Sequence, residues 1–553
     1  MGLSKGTSHV SGAGLRDMPL LAAIVAVFLL GQWSQIAATP MGEGLDVYNH
    51  LAYIEFMARE GRWPLSGEPS IPADLERLDR ACLAADKVCP GSYSRWAHLS
   101  DAERSAARRD LLMPDPAAPY VSDNYQSQHP PLYYALASVP YRAVRHLPLD
   151  QQITWLGALS VLLAATGLPA LWMTFRRHLP SGNSALLLLA LAWFPNLMPF
   201  LGRITNDSLA FSLVCWWICA VDRRRLRTID VIAGGALLAA GFMTKTYMLA
   251  LVPAYLLVCL LGGTRRAEKV AWPAFALGVL LVVAGTTPLV LFNWSTSGMP
   301  LPLDEVRRTV GFPLARKLAA LATVDPFWFL GGMARNFFWC GYYSFVSPHI
   351  LYYLPLAAPL ALLWPPRTDP SRPLPAGRWK TVADRAWLHG ALLLTFFLAM
   401  WWHAALFSLD ASARGVKIYS GNEGWYMNVL LGSAALLLVV ACRERFGGAP
   451  ARRALRWAAL LMIVWNLAAR LVMIAFWGGG VRLVGRARLA VPGDVARALV
   501  DPGSWRNWSS WPGVIAPIWL SILPALSVAV AISAWLLRRL AAGPGAVEDW
   551  NSA

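Results

Sequence analysis

Long apolar runs recur along the chain, and short polar segments separate them. A helix needs about 20 apolar residues, at 1.5 Å rise each, to cross a bilayer. Runs of this kind lie near residues 19–38, 152–175, 183–201, 206–221, 229–243, 246–262, 270–292, 349–364, 385–408, 425–442, 455–477 and 513–537. The pattern predicts an all-α polytopic membrane protein with about twelve transmembrane helices.

Two polar segments are too long to be simple connections. The first, 39–151, opens with helical periodicity from Asp46 to Gly61, and Gly61 is a typical helix end. The second, 293–348, contains an amphipathic stretch from Val306 to Ala322 with basic residues at helical spacing. We expect both amphipathic segments to lie along the membrane surface.

Charge then orients the spans. The chain of 553 residues is 56% hydrophobic and only 15% charged, with a net charge of +17. Basic residues concentrate at the ends of apolar runs, as in Arg223–Arg225, which is typical of cytoplasmic loops facing anionic lipid and gives no support to a nucleic-acid partner. The charges predict cytoplasmic loops at 176–182, 222–228, 263–269, 365–384 and 443–454, cytoplasmic N- and C-termini, and outer segments at 39–151, 293–348, 409–424 and 478–512.

The seven cysteines have no metal-binding spacing. Cys82 and Cys89 both fall in the first outer segment, where either a disulfide or two free thiols is compatible with the sequence.

The first polar motif follows the first span directly. It contains Glu43, Asp46 and His50, and the last two are four residues apart and so share one face of a helix. A carboxylate there can act as a general base, and an imidazole can orient a phosphate or hydroxyl group. The simpler alternative is that Asp46 only caps the helix while His50 packs.

The second motif, Gln128-His129-Pro130-Pro131-Leu132-Tyr133-Tyr134, ends the first outer segment. Its proline pair fixes the backbone, so that Gln128, His129 and Tyr133 are held at the interface. An aromatic membrane anchor is the alternative.

Two further motifs fall at the outer ends of later spans. Arg203, Asn206 and Asp207 form an arginine–amide–carboxylate group suited to a phosphate and a sugar, although a helix cap is the alternative for Asn206 and Asp207. Lys245 lies in a turn predicted to be outside, against the usual charge distribution, which indicates an anion ligand unless it snorkels to water.

Trp425 and Tyr426 begin a later span on the same side. They are candidates for stacking on a sugar, and ordinary belt aromatics otherwise. The predicted topology places all five motifs on one side of the membrane.

In this order, the motifs resemble those of bacterial members of the GT-C superfamily of integral membrane glycosyltransferases. The nearest resemblance is to the dolichyl-phosphate-mannose-protein mannosyltransferase-like group, over about residues 18–260. The resemblance implies a GT-C fold, a polyprenyl-phosphate-sugar donor used on the periplasmic face of a bacterial inner membrane, and Asp46 as catalytic base. It also implies a lipid, glycan or protein acceptor. Many members carry a second acid beside the first, where this chain has Val47.

The predicted division follows from these features. It comprises a cytoplasmic N-terminus 1–17, a GT-C module 18–292 with its periplasmic loop 39–151, a periplasmic loop 293–348 with an interfacial helix, and a C-terminal transmembrane region 349–553.

The predicted mechanism is an inverting single displacement. Asp46 and His50 are the catalytic candidates, Arg203, Lys245 and His129 the donor-phosphate ligands, and the others substrate contacts: Glu43, Gln128, Tyr133, Asn206, Asp207, Trp425 and Tyr426. No cofactor is expected, and a divalent metal is not favoured because no Asp-x-Asp set is present.

Two other classes stay open. A transporter or lipid flippase would need charges near span midpoints, whereas the span interiors are mostly uncharged here. A polymerase or ligase using a diphosphate-linked donor would rely on arginines in late outer loops, for which Arg482, Arg486 and Arg488 are available.

Overall fold

The chain folds mainly into helices, and many of their apolar side chains pack together in one large buried cluster. A computed structural model describes residues 13–41, 43–44, 46–80, 96–223, 225–261, 272–300, 304–337, 378–415, 424–485, 488–515 and 518–542. The helices, numbered in chain order within these ranges, are α1 Ala13–Ala38, α2 Val47–Glu60, α3 Ala73–Arg80, α4 Asp101–Leu112, α5 Leu132–Val144, α6 Leu149–Ala165, α7 Leu168–His178, α8 Ser181–Ala192, α9 Leu197–Leu201, α10 Asp207–Val221, α11 Thr228–Phe242, α12 Val252–Leu260, α13 Trp272–Ser297, α14 Asp304–Thr309, α15 Leu314–Thr323, α16 Pro326–Phe337, α17 Arg378–Ala413, α18 Leu431–Phe446, α19 Gly448–Trp477, α20 Pro492–Val500, α21 Pro502–Ser509 and α22 Ile518–Ala542.

Short strands and 3₁₀ turns complete the described part. Strand β1 (Pro69–Pro72) pairs antiparallel with β2 (Tyr120–Asp123), and β3 (Leu483–Val484) pairs antiparallel with β4 (Leu489–Ala490). The 3₁₀ turns span Tyr125–Gln128, Thr246–Leu251 and Gly424–Leu430. The strands are only ties between loops, so the predicted all-α class is confirmed.

Within the described ranges, seven helices are long and apolar enough to cross a membrane. They are Asp17–Ala38, Leu149–His178, Trp272–Ser297, Ala386–Ala413, Tyr426–Phe446, Gly448–Trp477 and Ser521–Ala541, and shorter apolar helices lie at Ser181–Ala192, Asp207–Val221, Thr228–Phe242 and Thr246–Leu260. The span predicted at 349–364 lies outside the described residues, and the one predicted at 183–201 is divided into α8 and the short helix α9. Each of the other predicted spans overlaps one of these helices. The polytopic architecture is therefore the predicted one.

The two amphipathic predictions have different outcomes. Helix α2 ends as predicted at Gly61, which adopts φ 68° and donates its backbone N–H to the carbonyl of Met57. The stretch predicted as one helix from Val306 to Ala322 is instead two helices, α14 and α15. Pro313 directly precedes α15, and its ring restricts the preceding residue to extended backbone.

One span interior is less apolar than predicted. Arg470 of α19 is buried, and its guanidinium donates to Asn466 Oδ1 at 2.7 Å, to Ser34 Oγ at 2.6 Å and to the Gly31 carbonyl at 2.9 Å. Because these acceptors lie on α19 itself and on α1, the charge joins the two helices.

Helix α21 and the residues that follow it hold the end of α1, just before the Asp46 motif. The indole of Trp508 donates to the Ala38 carbonyl at 2.9 Å, and the Met41 N–H donates to the Pro512 carbonyl at 2.7 Å. Trp96, Trp477 and Trp511 pack in the same buried cluster. These contacts determine where the chain leaves α1 and enters α2.

Candidate active site

A cavity of about 360 Å³ lies where α2, the 125–128 turn, the 203–207 loop, the 245–250 turn and α17 meet. We call it the Asp46 cavity. It is lined by Asp46, His50, Tyr125, Gln126, Gln128, His129, Arg203, Asp207, Lys245, Thr246, Tyr247, Leu249, Ala250, Val306, Phe396, Ala399, Met400, Trp402, His403, Leu406 and Tyr426. Residues from each of the five motifs predicted at the sequence level reach this one cavity.

Asp46 enters the cavity from the first turn before α2. It occupies the N-cap position, but its side chain makes no cap hydrogen bond, so capping does not account for it. Its backbone is left-handed, with φ 60°, an uncommon conformation for a residue other than glycine. Strained backbone of this kind concentrates at functional sites.

His50 lies one helical turn after Asp46 and is buried. Its Nδ1 is 2.9 Å from the hydroxyl of Tyr134, whose ring stacks on Tyr53 with centroids 3.7 Å apart. Burial lowers the pKa of His50 well below its ordinary value, and the nearby positive charge of Lys245 lowers it further. His50 is therefore an oriented, neutral imidazole at physiological pH.

His129 is the second imidazole of the cavity. Burial, with Lys245 nearby, lowers its pKa well below the ordinary value. Its backbone carbonyl accepts a hydrogen bond of 3.2 Å from Tyr53, while its Nδ1 has no hydrogen-bond partner among the described residues. A buried, neutral and unsatisfied ring nitrogen is suited to meet a ligand.

Lys245 is buried and does not snorkel, so that alternative is wrong. Its ammonium lies 3.2 Å from Asp207 Oδ1 and donates to Asn206 Oδ1 at 2.8 Å. Burial lowers its pKa, and Asp207 opposes that effect. The rings of Tyr247 and Tyr426 have their centroids 5.9 Å from the ammonium, within the range of cation–π attraction.

Asp207 is held from three sides. Besides Lys245, it accepts hydrogen bonds from the hydroxyls of Tyr247 and Thr205, both at 3.0 Å. Asn206 in turn donates to the Thr244 carbonyl at 3.3 Å. Asn206 occupies the N-cap position of α10 but makes no side-chain cap bond, and its side chain contacts Thr244 and Lys245 instead.

Arg203 approaches the cavity beside Gly44. A Cβ added at Gly44 would come within 3.2 Å of Arg203 Cδ and 2.7 Å of Val47 Cγ2. The backbone of Gly44 has φ 150°, which side chains rarely allow. Glycine at position 44 therefore lets the arginine side chain pass close to the start of α2.

Some predicted residues lie behind the cavity. Tyr133 is fully buried, and its hydroxyl lies 2.7 Å from Ser160 Oγ and accepts from the Thr205 N–H at 3.2 Å, so it supports the 203–207 loop and contacts no cavity space. Glu43 and Asn206 are buried and are also absent from the lining. The side chain of Trp425, together with Cys82 and Cys89, lies outside the described residues.

The cavity-lining residues of α17 were not among the site residues predicted from the sequence. Phe396, Ala399, Met400, His403 and Leu406 recur at helical spacing and line the cavity. Their periodicity was readable, but an apolar stripe facing a cavity looks the same in sequence as one facing lipid. Tyr247 and Gln126 were missed as well, and the only signal for them was their place beside Lys245 and Gln128.

Part of the chain matches a known protein family. Residues 128–292 match the family model described as dolichyl-phosphate-mannose-protein mannosyltransferase. A search of curated proteins finds no match. The chain is similar to the crystal structure of ArnT from Cupriavidus metallidurans bound to undecaprenyl phosphate, with 16% identity, a TM-score of 0.41, and coverage of 95% of this chain and 78% of that one.

The matched segment runs from Gln128 to Phe292 and includes His129, Arg203, Asp207 and Lys245 of the Asp46 cavity. The family match confirms the predicted resemblance to the GT-C superfamily and the predicted enzyme class, that of a membrane glycosyltransferase.

Proposed function

We propose that the chain transfers a sugar from a polyprenyl-phosphate-linked donor to an acceptor hydroxyl, with Asp46 as general base. The observation that carries the proposal is the composition of one cavity. A carboxylate from the start of α2 shares it with Arg203, Lys245 and His129, which come from three other segments.

The cavity has both polar and apolar lining residues, which suit the two parts of such a donor. Arg203 and Lys245 supply positive charge for a phosphate, and the unsatisfied Nδ1 of His129 adds a polar contact. Leu249, Met400 and Leu406 give the same cavity an apolar lining as well. Apolar side chains of this kind favour burial of a hydrocarbon chain next to the bilayer.

The proposed reaction is one displacement at the anomeric carbon. The carboxylate of Asp46 takes the proton of the acceptor hydroxyl while the hydroxyl oxygen forms a bond to that carbon. The bond from the carbon to the phosphate oxygen breaks, and the polyprenyl phosphate leaves with the bonding electrons. Attack opposite the leaving group inverts the anomeric configuration.

Preplaced cations would stabilise the departing phosphate. Charges fixed before reaction need little reorganisation and act strongly in a site shielded from water. Lys245 and Arg203 hold these roles in the proposal, with neutral His50 and His129 as hydrogen-bonding groups. No metal ion is part of the proposed transfer step.

The proposed setting is a bacterial inner membrane, with both termini cytoplasmic and the Asp46 cavity on the periplasmic side. The acceptor is a lipid, a glycan or a protein hydroxyl. The charge pattern of the loops supports this orientation. A polymerase or ligase that uses a diphosphate-linked donor has less support. Arg482 pairs with Asp494 at 2.7 Å, and neither Arg482 nor Arg488 lines the cavity.

The test uses the purified full chain with a panel of polyprenyl-phosphate sugars and measures release of polyprenyl phosphate. Asp46→Asn should fold and bind donor but lose transfer by about 100-fold or more, the usual range for removing a general base. Asp101→Asn, an exposed aspartate at the start of α4, is the control and should transfer normally. Full activity of Asp46→Asn would refute the mechanism, and donor movement across vesicles without turnover would indicate a transporter.

A further inference from the structure

A second polar cluster lies at the far end of α10 from the Asp46 cavity. Asp207 begins this helix, and Asp222 follows its last residue. The two aspartates are fifteen positions apart along the helix, which corresponds to about 22 Å. Asp222 therefore takes no part in the site described above.

Two histidines from other helices meet Asp222. His178 ends α7, and its Nε2 lies 2.7 Å from Asp222 Oδ2. His389 lies in α17, and its Nε2 is 3.7 Å from the same oxygen. The three ligand atoms all lie within 4.8 Å of one another, and we call these residues the His178 cluster.

The cluster is enclosed by protein. The exposed fractions of the side chains are 10% for His178, 2% for Asp222 and 1% for His389. Arg177 donates to the backbone carbonyls of Cys219 and Asp222, both at 2.7 Å, and so fixes the end of α10. The three residues of the His178 cluster are thus held in place by the fold and are not mobile surface groups.

A hydrogen-bonded histidine–aspartate pair explains only part of this arrangement. His178 and Asp222 satisfy each other, but Nε2 of His389 is buried without a hydrogen-bond partner. At 3.7 Å it is too far from Asp222 for a hydrogen bond. A buried polar atom left unsatisfied costs stability, and a shared cation would satisfy it.

The other nitrogen of His389 is already engaged. Nδ1 lies 2.9 Å from the hydroxyl of Ser433 on α18, and Ser433 is itself buried. Metal-ligating histidines commonly use their second ring nitrogen in this way, which fixes the ring orientation. The bond leaves Nε2 directed at Asp222.

We propose that His178, Asp222 and His389 bind a divalent transition-metal ion, with Zn²⁺ as the best fit. Two imidazoles and one carboxylate are a known zinc ligand set, with metal–ligand bonds of about 2.0–2.2 Å. Such bonds place ligand atoms about 3.4 Å apart in a tetrahedron, between the two distances seen here. A fourth position is left for water.

The bound ion would join helices that also build the Asp46 cavity. His389 lies on α17, whose residues from Phe396 onward line that cavity, and Ser433 lies on α18, which follows Tyr426. The ion would thus join the last residue of α7 and the residue after α10 to α17, seven positions before Phe396. The site does not depend on the proposed glycosyl transfer.

The test measures metal binding directly. The full chain, purified without a polyhistidine tag, is stripped with a chelator, dialysed against Zn²⁺ and analysed for metal by mass spectrometry. Wild type should retain one equivalent and His389→Gln should lose it. His146→Gln, the same substitution at an exposed position, is the matched control and should retain it.

Two further readouts separate a metal site from a purely structural hydrogen-bond network. Ser433→Ala should weaken Zn²⁺ binding about 10–100-fold, the usual effect of losing an outer partner of a ligand. In wild type alone, chelation should lower the unfolding temperature and Zn²⁺ should restore it, which decides the question if a variant fails to fold. Wild type without retained metal, or His389→Gln with a full equivalent, would overturn the proposal.

Discussion

Removing either partner of the buried pair between Lys245 and Asp207 tests whether this ion pair stabilises the folded protein at the Asp46 cavity. The atoms are 3.2 Å apart, and the side chains are only 7% and 4% exposed. Removing one partner of a buried pair costs about 3–5 kcal/mol, because the other charge is left uncompensated. For Lys245→Met we expect the lower end, about 3 kcal/mol, since Tyr247 and Thr205 still donate to Asp207.

The assay is the free energy of unfolding in mixed detergent micelles, measured in a double-mutant cycle. Asp207→Asn should also destabilise the fold, because Lys245 then loses the carboxylate with which it is directly paired. The double variant should recover about 1–3 kcal/mol relative to the sum of the single changes. Strictly additive losses would show that the two side chains do not stabilise each other, and the pairing argument would fail.

Two further predictions concern α2 and the glycine that precedes it. Burial raises the pKa of Glu55 from 4.5 to about 7, and at about 1.36 kcal/mol per unit this makes its ionised form about 3 kcal/mol less stable in the folded chain. Because the folded state holds this proton more tightly than the unfolded state, stability should fall as pH rises from about 4.5 to 7; Glu55→Gln should flatten that slope, and an unchanged slope would contradict it. Gly44→Ala should displace Arg203 and weaken donor binding, whereas Gly298→Ala, also at positive φ but with open space around it, should not; equal donor affinities would exclude a role for this close approach.

The helices were predictable because the signal is local. Each span is a continuous apolar run, and the end of α2 is fixed by one glycine whose φ of 68° suits no other residue as well. The break between α14 and α15 was missed, although Pro313 was visible, because amphipathic spacing continued across it. Local pattern therefore gives the existence of helices more reliably than their bounds.

The interactions within the site were not predictable in the same way. The sequence placed Lys245 and Asp207 on one side of the membrane, but it could not tell that they pair, since 38 positions separate them and packing of α10 against α11 brings them together. The contact between Asp222 and His389 was even less predictable from the sequence. Each is one polar residue at or near an apolar run, and only the tertiary structure places them together with His178.

The contrast between the two cavity carboxylates argues for their different roles. Asp207 accepts from Tyr247 and Thr205 and pairs with Lys245, so that both of its oxygens are engaged by donors. A carboxylate held in this way is a good anchor for the cation that we propose meets the phosphate. Asp46 makes no cap hydrogen bond to α2, has left-handed backbone, and lines the cavity. When two carboxylates share a site, the difference in their surroundings separates the base from the stabilising group, and the position of Asp46 agrees with its proposed role in proton removal.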